Sequence, residues 1–241
     1  MESIKILALE SSAKAASCAI CTGERLLARA FRNNGLTHST TLLPMAEELL
    51  RACSLRAEEL DLIAVARGPG SFTGIRIGVA AAKGLAWGAD RPGLGVSTLE
   101  ALAWNAAALE GSLLCPAMDA RRSQVYNALF RVENGVPLRL CEDRAISLEE
   151  LAADLRERGE PALLLGDGAE LAFAYLTQAG LACRLAPENL RWQDAYGVAL
   201  AALHTPRERW GELDPVYLRL SQAERERLEK GLPTNPLNPE S

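Results

Sequence analysis

Residues 62–87 read LIAVARGPGSFTGIRIGVAAAKGLAW. The first five, Leu62 to Ala66, form an unbroken apolar run, short enough for a strand buried on both faces. A glycine-rich turn follows, and the small and apolar residues after it predict a helix ending near Trp87. A buried strand passing through a tight turn into a helix is the repeating unit of an α/β protein with parallel strands. Such a turn is also the setting in which backbone N–H groups bind phosphate. The spacing argues otherwise. A mononucleotide loop needs G-x-x-x-x-G-K-[ST], and neither Gly68 nor Gly70 has glycine and lysine at that offset. A dinucleotide loop needs G-x-G-x-x-G, and the sixth position here is Thr73.

The helix is more informative than the turn. Gly74, Gly78, Ala81 or Ala82, and Leu85 lie on neighbouring turns of one flank and leave it almost without side-chain bulk. Two readings stay open: tight packing against the chain's own sheet, or a flat face for a second subunit, which is the expectation carried forward. Phe72 and Arg76 beside it are residue types enriched at interface cores. Ser71 reads as a turn residue or helix cap.

Working outward, strands are predicted at Ile4 to Glu10, Ala16 to Cys21 and Leu26 to Phe31, an antiparallel meander with turns at SSAKA and TGER. Leu42, Leu43, Met45, Ala46, Leu49 and Leu50 recur at helical spacing and predict a helix from Thr40 to Cys53. Gly93 to Val96 reads as a strand, and Ser97 or Thr98 caps a helix from Leu99 to Leu109. The order then restarts. Strands are expected near Leu113 to Met118, Val125 to Phe130 and Leu138 to Cys141, and a helix from Leu148 to Arg158. A strand at Ala162 to Leu165, a helix at Ala169 to Ala179, a strand at Leu181 to Leu185 and a helix from Asp194 to Leu203 complete the pattern. Strand, strand, strand, helix, strand, helix thus occurs twice, which predicts two subdomains, 1–110 and 111–220, each with a mixed sheet, and a cleft between them. Residues 221–241 read as a charged, proline-rich and mobile tail.

Of the 241 residues, 49% are hydrophobic and 24% charged, and the net charge of −5 supplies no global basic field for a nucleic-acid backbone. MESIKILALESS has neither the shape of a signal peptide nor that of a transit peptide, and no window reaches the ~18 apolar residues of a membrane span, so a cytoplasmic protein is expected. Cys18 and Cys21 make a C-x-x-C spacing, but on a strand residues three apart point to opposite faces, so buried free thiols are predicted at these and the other four cysteines. The two histidines, His38 and His204, are far apart in sequence. His38 in THST reads as a loop residue or cap. No G-x-S-x-G nucleophile elbow occurs, so a peptidase is a remote alternative.

The run ARGPGSFTGIRIGVAAAKGLA (66–86), with THSTTLLPMAEELL (37–50) before it and GVSTLEALA (95–103) after it, closely resembles the TsaB (YeaZ) family. Weaker echoes are MDARRSQVYNALF (118–130), GDGA (166–169) and DPVYLR (214–219). The resemblance implies a duplicated actin/hexokinase-like (ASKHA) α/β fold. It implies a non-catalytic subunit that binds a TsaD-type transferase together with a TsaE-type ATPase. That assembly transfers a threonylcarbamoyl group to the adenosine beside the tRNA anticodon. The chain alone is then expected to be a homodimer that engages tRNA only indirectly and needs no cofactor, with ATP or ADP and magnesium entering at the level of the complex.

The family's dimerisation helices map onto 37–50 and 70–87, which implies an interface of His38, Leu42, Leu43, Met45, Gly70, Phe72, Thr73, Arg76, Gly78, Ala81, Ala82 and Leu85. Glu10, with Ser11, and Asp119 fall at the ends of the first strands of the two halves, where this fold class places carboxylates that hold a nucleotide's metal through water. The family commonly has Asp at position 10 and often an acid at Gln124. The glycines that clamp adenosine elsewhere reduce here to Gly166 and Gly168. These residues read as solvated strand-end acids and glycines of a vestigial nucleotide site. The alternative is an independent ATPase or small-molecule kinase that uses Glu10 and Asp119.

Overall fold

The computed structural model describes residues 4–35 and 37–219; the tail expected at 221–241 lies outside them. β1 (Lys5–Glu10), β2 (Ala16–Thr22) and β3 (Arg25–Arg32) form the meander, and α1 (His38–Ala52) follows. β4 (Leu62–Gly68) then lies parallel to β1, α2 (Phe72–Ala89) crosses over, β5 (Gly93–Ser97) pairs with β4, and α3 (Thr98–Trp104) ends the half. The sheet order is β3-β2-β1-β4-β5.

The second half runs β6 (Leu113–Asp119), β7 (Gln124–Asn127), β8 (Phe130–Glu133), β9 (Val136–Arg139), β10 (Arg144–Ser147), α4 (Leu148–Arg158), β11 (Ala162–Leu165), α5 (Ala169–Gln178), β12 (Cys183–Leu185), α6 (Glu188–Arg191) and α7 (Ala195–Leu203). Its order, β10-β7-β6-β11-β12, repeats the first winding, with the β8–β9 hairpin added beside β6. In both halves the first strand sits at the centre, flanked by an antiparallel neighbour on one side and a parallel one on the other.

Three elements differ from the sequence-based expectation. The strand expected at Val125 to Phe130 is two strands. β6 pairs with β7 through Ala117–Asp119 and with β8 through Leu113–Leu114. Between them lies Pro116, which has no N–H to donate. Asn127 takes over there: its side-chain nitrogen donates to the Pro116 and Ala128 carbonyls, and its oxygen accepts from Arg144. The third strand of the second sheet is β10, RAIS, not Leu138 to Cys141, because Val136–Arg139 is used in the hairpin with β8. All four β10 residues are half-buried, so no apolar alternation marks it. Finally, α3 stops at Trp104, since Asn105 turns its amide to the Leu190 and Trp192 carbonyls and the next backbone bonds reach back only three residues.

α1 and α2 cover one face of the first sheet, burying Leu42, Met45, Leu49, Ile75 and Val79 against Leu7, Leu9 and Val65. α3 and α7 cover the other face through Ala101, Trp104, Val198 and Ala202. α7 follows the second sheet in sequence yet packs on the first. It comes close to α3 at Gly197, where an added Cβ would lie 2.2 Å from the Ala101 carbonyl oxygen. The opposite side of α3 packs on the second sheet through Leu99 and Leu102, beside Phe130 and Leu165, so this helix is shared by the two cores. Cys18 and Cys21, both free, enter opposite cores, and burial pushes each thiol up to about 12.

After a 3₁₀ turn at Arg207–Arg209 the chain becomes a strap. Backbone bonds from Gly211 to Gly93 (2.6 Å), Gly95 to Glu212 (2.7 Å) and Val216 to Arg67 (2.8 Å) lay it along the ends of β5 and β4. Leu213 fills the space in front of Gly93. Arg219 then donates to the Ala120 carbonyl at 2.5 Å, so the strap reaches the second half.

Candidate functional site

Two places collect the residues singled out by sequence: the cleft where the C-terminal ends of β1, β4, β6 and β11 meet, and the outer face of α1 and α2. At the cleft the residues differ from the expected solvated acids. Glu10 has 0% exposure; one carboxylate oxygen accepts from the Ser12 N–H at 2.6 Å and the other has no partner. Burial, reinforced by the charges of Asp194 and Asp167, raises it to about 7 against the lowering effect of the Ser12 hydrogen bonds. Asp119 is half-buried and accepts from the Arg121 N–H at 2.7 Å, with the Arg121 guanidinium 3.7 Å away. Asp167 accepts from the Gln193 amide at 2.9 Å and is shifted upward by burial.

The glycines are spent on internal packing. An added Cβ at Gly74 would lie 2.0 Å from the Ser11 carbonyl oxygen, and one at Gly78 would lie 2.4 Å from Ser11 Oγ. Ser11 Oγ donates to the Gly74 carbonyl at 2.9 Å. At these positions the flat flank of α2 therefore serves the chain's own β1–β2 turn. Gly70 is pressed against the Ser12 carbonyl (2.4 Å to an added Cβ), where Ser71 N–H donates at 2.7 Å. Ser71 caps α2, its hydroxyl accepting from Gly74 N–H at 3.3 Å. Gly166 and Gly168 likewise bring the β11–α5 turn onto β6, with added Cβ atoms 2.3 Å from the Ala117 oxygen and 2.7 Å from the Met118 carbonyl carbon. The turn is closed against the sheet, so its glycines do not open toward a ligand.

On the helix face the expected residues divide. Leu42, Met45, Gly78 and Ala82 are buried core positions, a correction that follows from α1 and α2 resting on β1, β2 and β4. Thr73, Arg76, Ala81 and Leu85 retain exposure, and Leu43 keeps 46%. Among the described residues the most exposed large apolar side chain is Trp87 at 89%, between exposed Gly84 and Gly88. His38 is the first residue of α1 rather than a loop residue, its Nε2 2.7 Å from the Ala13 carbonyl. His204 lies against Trp104, the ring centroids 4.2 Å apart and the planes tilted by 30°.

Local patterning could not have revealed one cluster. The Tyr217 ring stacks on Phe72 with centroids 4.5 Å apart and planes 6° from parallel, and the Tyr217 hydroxyl accepts from Arg76 Nε at 3.0 Å. The only signal is the DPVYLR segment (214–219), which carries no periodicity of its own.

The twice-wound sheet order, the shared α3 and the cleft between the β1–β2 and β6–β7 turns define an actin/hexokinase-like protein of two related halves. The family model described as tRNA N6-adenosine threonylcarbamoyltransferase, TsaD, matches residues 33–178. The tRNA threonylcarbamoyladenosine biosynthesis protein TsaB of Bacillus subtilis (strain 168) is 37% identical over 69% of this chain and 72% of that protein. The TsaB of Escherichia coli (strain K12) is 38% identical over 55% of this chain and 58% of that protein, so the aligned part spans just over half of it. A crystal structure from Pseudomonas aeruginosa, described as an uncharacterized protein with similarity to peptidase YEAZ, superposes with a TM-score of 0.75 at 28% identity, covering 90% of this chain and all of that one. The chain belongs to the TsaB family.

Proposed function

We propose that this chain acts in threonylcarbamoyladenosine formation on tRNA as a non-catalytic subunit in the cytoplasm. On this reading it binds a TsaD-type transferase through the outer face of α1 and α2, and a TsaE-type ATPase acts on the assembly. Alone, it pairs with a second copy through the same face. The chain needs no cofactor, and ATP or ADP with magnesium belongs to the complex. The observation that carries the reading is an apolar side chain without cover, Trp87 at 89% exposure, in a small-residue setting on the helix that also bears Arg76. A tryptophan in that position is the kind of anchor that dominates an interface.

Support for an independent ATPase or small-molecule kinase is weaker, because Glu10, which would share a nucleotide's metal with Asp119, is sealed with 0% exposure.

The experiment is co-elution with a TsaD-type transferase. Trp87→Glu and Leu43→Arg replace exposed side chains and leave the fold intact, so circular dichroism should be unchanged while complex affinity falls at least a hundredfold. Gly78→Leu is not a clean probe, since it would collide with Ser11 inside the protein. Retained co-elution of both surface variants would move the interface elsewhere. Omitting the chain from a reconstitution with transferase, ATPase, threonylcarbamoyl-adenylate and tRNA should abolish product.

A further inference from the structure

We propose that a cavity beside the strap binds a small zwitterion carrying one carboxylate and one ammonium group, a free α-amino acid or a short peptide. It measures about 320 Å³ and lies where the ends of β4 and β5, the β9–β10 connection and the strap meet. It shares no lining residue with the cleft. Its walls come from both halves: Arg67 from the first sheet, Arg139 and Glu142 from the second half, and Arg209 and Val216 from the turn and strap that follow α7.

The charges on these walls do not cancel locally. On the first-half and strap side, two guanidiniums share one acid. Arg209 holds Glu212 at 3.0 and 3.3 Å, and Arg67 reaches the same carboxylate at 3.5 Å. Asp214, the next acid along the strap, is engaged by Lys83 at 2.9 Å. On the second-half side, two acids share one guanidinium. Arg139 donates to Asp143 at 2.5 Å and to Glu100 at 3.4 Å, and Asp143 also accepts from Ser97 Oγ at 2.5 Å. Glu100 sits between the two sides, its charge acting on Arg209 as well. Glu142 is exposed and makes no hydrogen bond or ion pair with the described residues. One cavity therefore offers a cation that is short of an anion and an anion that is short of a cation. A carboxylate laid on Arg67 and an ammonium laid on Glu142 complete both, whereas a phosphate or a polyamine completes only one.

Arg67 is also prepared for this role. Its stem crosses β5 at Gly95, where an added Cβ would lie 2.6 Å from Arg67 Cδ and 2.9 Å from Arg67 Cβ, so a larger residue there would displace it. The side chain is only 20% exposed. The guanidinium thus reaches the cavity on a stem that is already ordered, and less rotamer freedom is lost when a carboxylate docks. Because the walls belong to both halves and to the strap, an occupant ties all three together.

Isothermal titration of the full chain with L-glutamine and with glycyl-L-glutamine tests the assignment. A dissociation constant of about 1 mM or tighter is expected for at least one of them, and the tighter of the two fixes the length of the ligand. The N-acetylated form of that ligand lacks the ammonium and its C-terminal amide lacks the carboxylate; each should bind at least about tenfold more weakly. Arg67→Met, which keeps the stem over Gly95, and Glu142→Gln should each weaken binding about tenfold or more, with circular dichroism unchanged. Saturating ligand should slow hydrogen exchange in residues 212–216 at least about threefold in the native protein and not in Glu142→Gln. No binding of either zwitterion at about 10 mM, equal binding of a singly charged derivative, or indifference to both substitutions would overturn the proposal.

Discussion

Glu10 shows how far one residue's environment departs from its sequence context. At the end of a first strand, in LALESS, it reads as an acid facing solvent; in the fold it has 0% exposure and sits near Asp167 and Asp194. Nothing within a few residues of Glu10 foretells this, because Asp167 and Asp194, whose charges act on it, come from more than 150 residues away. The consequence is a pH dependence of defined sign. The folded carboxyl titrates near 7 against a usual value of 4.5, so the fold favours the neutral acid. The stability that goes with the neutral form is complete below the unfolded value and drains away as pH rises to about 7, after which it is gone. The raised values of Asp167 and Asp194 act in the same direction. The full swing from Glu10 is roughly 3 kcal/mol. Denaturant midpoints should therefore fall between pH 5 and pH 8 more in the native protein than in Glu10→Gln, whose amide oxygen can still accept from Ser12 N–H. Parallel profiles for the two proteins would show that Glu10 does not carry the effect.

At the scale of elements, α2 is the case where sequence reasoning found the right feature and split its meaning. The small residues were legible; which of them face inward was not, since a helix of glycine and alanine has little amphipathic contrast to orient it. Its inner flank is set by Ser11, at hydrogen-bond distance from the Gly74 carbonyl, and its outer flank by Gly84, Trp87 and Gly88. The two kinds of glycine predict opposite mutational effects. Gly74→Ala places a Cβ 2.0 Å from the Ser11 carbonyl oxygen, a backbone atom that cannot step aside. The cost should be at least 2 to 3 kcal/mol, of the order of overpacking in a core. Gly84 has nothing within 4 Å of an added Cβ, so Gly84→Ala should stabilise by about 0.5 to 1 kcal/mol through helix propensity. Urea denaturation of the two variants checks both signs; a destabilised Gly84→Ala would mean that the outer face is not open. The β8–β9 hairpin shows the converse limit. Its strands were partly visible as apolar runs, but their pairing was set by Pro116 and by the hydrogen bonds of the Asn127 amide to the Pro116 and Ala128 carbonyls and from Arg144, and periodicity reports neither.

For the whole molecule, the repeated winding was legible in part: apolar runs mark β1, β4, β6 and β11, the central strands of the two sheets, while β10, half-buried along its length, and the added β8–β9 hairpin carry no such mark. What joins the halves was not legible. α3 contributes Leu102 to one core and Trp104 to another, and α7 turns back to the sheet it does not follow in sequence. The strap completes the join: Leu213 packs into the first core, Tyr217 stacks on the start of α2, and Arg219 bonds to Ala120 beside the β6–β7 turn of the cleft. The strap thus touches the helix that bears the proposed partner face and the loop that walls the cleft. If these contacts hold the two halves in register, then Tyr217→Ala should release the cleft loop without unfolding either core. Hydrogen exchange should rise at least tenfold in residues 118–124 and around 71–73, while the amides of β1, β4, β6 and β11 keep their protection. Arg219→Ala should reproduce the increase at 118–124 and spare 71–73, because its bond reaches only Ala120. Equal exchange in all three proteins would mean that the shared helix α3 holds the halves alone, and that the strap merely covers the ends of β4 and β5.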